Sequence, residues 1–223
     1  MHKFFTNLLA TLFRPAARHV ATATFGKRTA ALCNIHVFTG DITKMTVDVI
    51  VNAANSTLLG GGGVDGAIHR AAGPALLEYC RTLNGCAPGD VKGSPGFALP
   101  AKFVLHAVGP DTRVVTDQGV ADRMLEDVYR KAMGQAVAMN SIAFPAISCG
   151  IFGFEPQRAA RIAVRVIGEA LEAAPWLTVY LVAFDDKMAE VLSQALNRER
   201  VEAAMNPIAL ATDSPNRYAA ARA

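Results

Sequence analysis

The chain has 223 residues, of which 52% are hydrophobic and 18% charged, and its formal net charge is +3. This composition is that of a globular protein with a full core, and so mild a charge does not by itself indicate nucleic-acid binding. The four cysteines form no CxxC pair, so we expect free thiols in a reducing compartment rather than a metal site.

The two ends differ in composition from the middle of the chain. The first forty residues hold five basic residues and no acidic one, which is typical of an organellar transit peptide; an amphipathic helix packed on the domain is the alternative. The apolar run at 4–13 is too short to span a bilayer. We predict an N-terminal extension over 1–33, one folded domain over 34–197 and a loose tail over 198–223. The protein is expected in the cytoplasm, or in mitochondria if the extension is a transit peptide.

Apolar strands alternate with amphipathic segments along the middle of the chain. We predict strands at 34–40, 47–55, 101–110, 141–147 and 177–184. Helices are predicted at 64–83, with a break at Pro74, and at 118–140, 157–175 and 185–200. The stretch 84–99 is rich in glycine and proline and is predicted as turns. This alternation indicates a three-layer α/β fold with a mostly parallel sheet.

A glycine-rich stretch, "TLLGGGGVDGAIHRAAG" (57–73), follows the second strand. No lysine follows the glycines, so the stretch is not a P-loop. Gly61, Gly63 and Gly66 match the Rossmann pattern by letter. However, the Rossmann glycines come directly after their strand, whereas "NAANSTLLG" intervenes here. The dinucleotide-binding interpretation is therefore disfavoured.

A second glycine loop, "SCGIFG" (148–153), also follows an apolar strand and precedes a helix. Two such loops at the carboxyl edge of a parallel sheet would bracket a crevice. Their backbone N–H groups and the helix N-termini can hold a diphosphate from two sides. Asp41, Asn52 and Asn55 end the neighbouring strands, so a nucleoside diphosphate linked to a sugar would suit the site.

The motifs "GDIT", "VDVIVNAAN", "GGGGVDGAIHRAAG", "LPAKFVLHAVGP" and "SCGIFGF" occur in this order between Asn34 and Asn197. Together they resemble the MacroD-type macrodomains. The resemblance implies a three-layer α/β/α macrodomain with a central mixed, mostly parallel sheet. It also implies hydrolysis of esters at the distal ribose of ADP-ribose, by removing mono-ADP-ribose from Asp or Glu of proteins or by deacetylating O-acetyl-ADP-ribose. No cofactor or metal is implied, and we expect a monomer that meets nucleic acid only as an ADP-ribosylated end.

The resemblance also assigns roles to single residues. The catalytic set is Asp65, Asn55 and His69, in which Asp65 positions or deprotonates a water and the other two hold the ribose and the water. The substrate-binding set is Asp41, Ile42, Asn55, Gly63, Val64, Asp65, Gly66, Ala67, Ile68, Ser148, Cys149, Gly150, Ile151, Phe152, Gly153 and Phe184. Within it, Asp41 and Ile42 are expected at the adenine, Asn55 and Phe152 at the distal ribose.

Several of these residues have a purely structural alternative. Asp41 would also serve as a turn cap, and Asp65 as a charge at a helix N-terminus. His69 would equally be a packing or surface histidine, and Phe184 a core residue of its strand. Asn52 is expected to tie down backbone, and His106 is expected to be structural.

Two other functions remain open from the sequence. A non-catalytic ADP-ribose reader would use the same loops, but the presence of Asp65 and Asn55 favours an enzyme. An RNA or poly(A) binder would need a basic surface with stacking aromatics, and only 7% of the residues are aromatic.

Overall fold

The computed structural model describes residues 26–205. Its strands are β1 (Ile35–Thr39), β2 (Val49–Ala53), β3 (Asp90–Pro95), β4 (Phe103–Val108), β5 (Ser141–Pro145) and β6 (Thr178–Ala183). Its helices are α1 (Lys27–Cys33), α2 (Gly63–Ala72), α3 (Pro74–Thr82), α4 (Gln118–Gln135), α5 (Pro156–Leu171) and α6 (Asp186–Met205). The strands form one sheet in the order β1-β6-β5-β2-β4-β3, in which only β3 is antiparallel to its neighbour. The predicted mixed, mostly parallel sheet is confirmed.

Hydrophobic cores lie on both faces of this sheet. One core packs α1, α4, α5 and α6 against the strands and contains Tyr129 and Phe144. The other packs α2 and α3 against the opposite face and contains Ile68 and Leu76. A parallel sheet covered on both faces explains why its strands are continuous apolar runs rather than alternating ones. The predicted three-layer α/β/α fold is therefore confirmed.

The helix boundaries follow from local capping. Gly73 adopts φ 80° after α2, and Pro74 occupies the first turn of α3, so the predicted break is confirmed. The Asp117 side chain accepts from the backbone N–H of Val120 at the start of α4. Glu155 accepts from two backbone N–H groups at the start of α5.

Strand β3 lies inside the stretch that the sequence predicts as turns, and that prediction is wrong. Gly93 and Pro95 disfavour a strand by propensity. The strand forms because it is at the edge of the sheet and pairs antiparallel with β4 from Asp90 to Pro95. An edge position tolerates a proline, since only one side of the strand must supply hydrogen bonds.

The packed structure extends beyond both predicted domain borders at 34 and 197. In α1, Leu32 is fully buried, and Arg28 forms an ion pair with Glu199 of α6 at 2.5 Å. Arg200 donates to the Leu32 carbonyl at 3.1 Å. The predicted features in 1–25 and 206–223, including the transit peptide and most of the tail, lie outside the described residues. Between residues 26 and 205, no helix combines the length and apolarity needed to cross a membrane.

Candidate functional site

A cleft of about 590 Å³ opens at the carboxyl edge of the sheet, between the two glycine loops. This volume lies within the usual range for small-ligand sites. Of the predicted site residues, those that line the cleft are Asp41, Ile42, Asn55, Gly63, Val64, Asp65, Ala67, Ser148, Gly150, Ile151, Phe152 and Phe184. The structure thus brings together residues from five separate stretches of the chain.

Five predicted residues do not line this cleft: Gly66, Ile68, His69, Cys149 and Gly153. Ile68 is fully buried in the core beneath α2. A Cβ on Gly66 would lie 2.3 Å from the Gly61 carbonyl oxygen, so Gly66 lets α2 pack against the loop. The Cys149 sulfur faces the Ile147 carbonyl at 3.5 Å. Burial, with Glu155 nearby, raises the pKa of Cys149 to about 12, which disfavours a reactive thiolate at neutral pH.

The first loop is fastened by Asn55. Its Oδ1 accepts from the backbone N–H of Thr57 at 3.0 Å and from the Thr57 hydroxyl at 2.6 Å. Its Nδ2 donates to the Gly60 carbonyl at 2.9 Å and lies 3.5 Å from Asp65 Oδ2. Asn55 therefore shapes the loop and also reaches the carboxylate at the cleft wall.

Asp65 occupies the first turn of α2 and is only 4% exposed. Its Oδ1 accepts from Asn52 Nδ2 at 2.7 Å. Burial raises the pKa of the Asp65 carboxyl, against the opposing effects of the Asn52 hydrogen bond and His69. The prediction that Asn52 ties down backbone is wrong: its amide lies 2.7 Å from the carboxylate instead, because β2 ends directly beneath α2.

His69 lies one helical turn beyond Asp65, as its spacing predicts. Its Nε2 is 3.5 Å from Asp65 Oδ1, and its side chain is 11% exposed. Apart from this 3.5 Å contact with Asp65, the buried Nε2 has no hydrogen-bond partner among the described residues. The structure therefore brings His69 to the rear of Asp65 and not to the cleft surface.

The second loop places Ser148 under conformational strain. Ser148 adopts φ 65°, a region that non-glycine residues seldom occupy. Its hydroxyl is buried and has no hydrogen-bond partner within the described chain. Thr112 stabilises the same loop, because its backbone N–H and its hydroxyl both donate to the Phe152 carbonyl. A buried hydroxyl left without a partner at a cleft is a ready donor for a ligand oxygen.

Asp41 and Phe184 line the cleft just beyond the ends of β1 and β6. Asp41 Oδ1 accepts from the Thr43 backbone N–H at 2.9 Å and from the Thr43 hydroxyl at 2.7 Å. These hydrogen bonds lower the pKa of Asp41, so the group stays ionised. Asp41 thus caps the short 3₁₀ turn (Ile42–Lys44) and also lines the cleft. Phe184 is 89% exposed, so its alternative role as a core residue is wrong.

Sequence reasoning missed Arg70, an exposed residue that also lines the cleft. Among the cleft-lining residues of the described chain, it is the one cation. Arg70 follows Ala67 by three positions, and residues three apart share a helix face. That spacing was the signal that could have identified it.

Behind the cleft, His69, Cys80 and His106 place their ligand atoms within 4.8 Å of one another. Both ring nitrogens of His106 already have protein partners, Asn52 at 3.1 Å and Ser94 at 2.9 Å. Burial raises the pKa of Cys80 to about 11, which disfavours the thiolate that a metal would need. The cluster is accordingly better described as a hydrogen-bonded interior than as a metal centre.

The sequence profile of the Macro domain family matches residues 51–163. This chain belongs to that family. A macro domain-containing protein of Methanosarcina mazei is 51% identical over 167 residues, covering 74% of this chain and 88% of that one. A protein of Enterobacter sp. (strain 638) named O-acetyl-ADP-ribose deacetylase is 47% identical over 169 residues, covering 73% of this macrodomain chain and 93% of the relative.

Solved macrodomain structures share the fold. The Trypanosoma brucei macrodomain in complex with ADP-ribose aligns with a TM-score of 0.69 at 31% identity, covering 86% of this chain and 94% of that one. Membership of the macrodomain family is therefore confirmed, and the cleft described above is that of a macrodomain.

Proposed function

We propose that this macrodomain binds ADP-ribose in the cleft and hydrolyses an ester at its distal ribose. The proposal rests mainly on the position of Asp65. This buried carboxylate lines the cleft, and its Oδ1 accepts a hydrogen bond of 2.7 Å from Asn52 Nδ2. Its raised pKa makes it a stronger base than an exposed aspartate. The proposed substrates are O-acetyl-ADP-ribose and proteins mono-ADP-ribosylated on Asp or Glu.

Binding would depend mainly on backbone groups. The N-terminus of α2 begins at Gly63 in the cleft wall, where unpaired N–H groups favour a phosphate. The second loop would hold the other side of the diphosphate, with the Ser148 hydroxyl as an additional donor. Asp41 and Phe184 would receive the adenine.

In the proposed reaction, Asp65 removes a proton from a water while the water oxygen bonds to the ester carbonyl carbon. The carbon–oxygen bond to the distal ribose then breaks, and the proton passes to the ribose oxygen. The products are the free carboxylic acid and ADP-ribose. Loop N–H groups would stabilise the negative charge that develops on the carbonyl oxygen.

The test compares Asp65→Asn with Asp41→Asn on O-acetyl-ADP-ribose and on a peptide ADP-ribosylated at glutamate. We expect D65N to lower kcat by roughly a hundredfold or more, the range for loss of a general base, with ADP-ribose affinity retained. D41N should weaken ADP-ribose binding instead, because Asp41 lines the cleft and is proposed to bind the adenine.

Hydrolysis by D65N at the wild-type rate would exclude Asp65 as the base. A wild-type protein that binds ADP-ribose in calorimetry but cleaves neither substrate would be a reader. Binding of oligo(A) in preference to ADP-ribose would identify a nucleic-acid binder.

A further inference from the structure

A chain of hydrogen bonds continues from Asp65 into the interior, away from the cleft. Asn52 Nδ2 lies 2.7 Å from Asp65 Oδ1 and 3.1 Å from His106 Nδ1. The His106 Nε2 lies 2.9 Å from the Ser94 hydroxyl, which in turn donates to the Pro95 carbonyl at 3.1 Å. Asn52, Ser94 and His106 are all fully buried. The chain thus links α2, β2, β4 and the edge strand β3.

The polarity of this chain follows from the Asn52 amide nitrogen, which donates to Asp65 Oδ1. Asn52 Nδ2 can only donate, so His106 Nδ1 accepts from it, and a neutral ring then carries its proton on Nε2, which lies 2.9 Å from the Ser94 hydroxyl and 3.5 Å from Cys80 Sγ. Burial, with a contribution from His69, lowers the pKa of His106 to about 3, so the ring is neutral. The unprotonated Nδ1 can then only accept, and it accepts from Asn52.

The orientation of the Asn52 amide follows from the same contacts. With Nδ2 between Asp65 and His106, one amide hydrogen points to each. The reversed amide would place two oxygens, Asn52 Oδ1 and Asp65 Oδ1, against each other. Asn52 Oδ1 has no hydrogen-bond partner in the described chain, so no other contact selects the orientation.

We propose that His106 is a positioning residue for Asp65: by accepting one hydrogen of the Asn52 amide, it directs the other to Asp65 Oδ1. This leaves Asp65 Oδ2, which lies beside the Asn55 amide at 3.5 Å, as the oxygen free to meet a water in the cleft. His106 does not line the cleft. Its effect on catalysis rests on the hydrolysis proposed above.

The test uses His106→Leu, which removes the acceptor, and His106→Asn, which restores a carbonyl oxygen near the position of Nδ1. Val104→Ala is the control, since Val104 is fully buried on the same strand and has no polar side-chain atom. Measured are kcat and KM for O-acetyl-ADP-ribose, thermal stability, and the titration of the Asp65 carboxyl carbon by NMR. The groups that face Asp65 in this titration are His69 from its own helix, Cys80 from α3 and Asn52 from β2.

We expect H106L to lower kcat by about tenfold, within the range for a displaced catalytic group, with KM unchanged. The pKa of Asp65 measured in this titration should rise, because the carboxylate loses an oriented hydrogen-bond donor. H106N should recover kcat and the titration, and V104A should change stability alone.

Wild-type kcat and an unmoved titration in H106L would overturn the proposal. So would an H106N variant as impaired as H106L, or an equal loss of kcat in V104A. If the wild-type protein cleaves neither ester, the proposed function fails, whereas the Asp65 titration still decides whether His106 positions the carboxylate.

Discussion

Asn52 donates a hydrogen bond of 2.7 Å to the carboxylate of Asp65, a cleft-lining residue that is only 4% exposed. One such bond does not compensate for burial, and the pKa of Asp65 is raised in the folded protein. A group with a raised folded pKa favours folding at pH below its unfolded pKa, and this contribution is lost as the pH rises through the folded value. At neutral pH the ionised Asp65 therefore lowers the stability of the fold.

Asp65→Asn should accordingly be more stable than the wild type at pH 7, and the difference should shrink as the pH falls towards 4. Urea unfolding of both proteins at a series of pH values measures this. The other carboxyl groups titrate equally in both proteins, so they cancel in the difference. The compared quantity is the free energy of unfolding of D65N minus that of the wild type. If this difference is smaller at pH 7 than at pH 4, the raised pKa of Asp65 is contradicted.

The contribution of Asp48 to stability should depend on pH in the opposite direction to that of Asp65. Burial alone would raise its pKa, but a hydrogen bond from Lys102 and backbone N–H groups of Asn140 and Ser141 outweigh burial, so the pKa is lowered. Its contribution to stability is present above the unfolded pKa and lost as the pH falls through the folded value. We expect Asp48→Asn to lower the free energy of unfolding at pH 7 by about 1–3 kcal/mol, the usual cost of impairing buried hydrogen bonds.

Lys102→Ala is the matched control for Asp48→Asn. The Lys102 side chain is 68% exposed, so its ion pair with Asp48 should contribute less than about 1 kcal/mol. Urea unfolding at pH 7 compares the two variants. If K102A lowers the free energy of unfolding as much as D48N does, the two hydrogen bonds from backbone N–H groups to Asp48 are not the source of its contribution to stability.

Gly66 and Gly150 should differ sharply in their tolerance of a methyl group. A Cβ on Gly66 would meet the Gly61 carbonyl oxygen at 2.3 Å, whereas one on Gly150 would meet nothing within 4 Å. We expect Gly66→Ala to destabilise the fold by roughly 1–3 kcal/mol, as overpacking does, and to weaken ADP-ribose binding by moving the first loop. Gly150→Ala should unfold at the wild-type temperature. Equal melting temperatures for the two variants would show that the first glycine loop can move aside for the added methyl group without loss of stability.

The strands of the sheet centre were predictable because burial on both faces leaves a continuous apolar run, as in "VIV" of β2. Strand β3 was not, since its pairing with β4 overrides the poor propensity of Gly93 and Pro95. The glycine loops and Asp65 are local motifs and could be read from the chain. The role of Asn52 could not, because its partners Asp65 and His106 are 13 and 54 residues away and only the fold brings them together.

Phe184 follows β6 and lines the cleft, where we propose that the adenine binds. An aromatic ring that is 89% exposed adds little to the core, so Phe184→Ala should melt at the wild-type temperature. Stacking of a base on an aromatic side chain contributes about 1–3 kcal/mol, so F184A should bind ADP-ribose roughly tenfold more weakly. Phe184→Tyr keeps the ring and should retain the affinity. Val114→Ala is the control, because Val114 is 77% exposed and lies outside the cleft lining; calorimetry that finds F184A and V114A equally tight would remove Phe184 from the binding site.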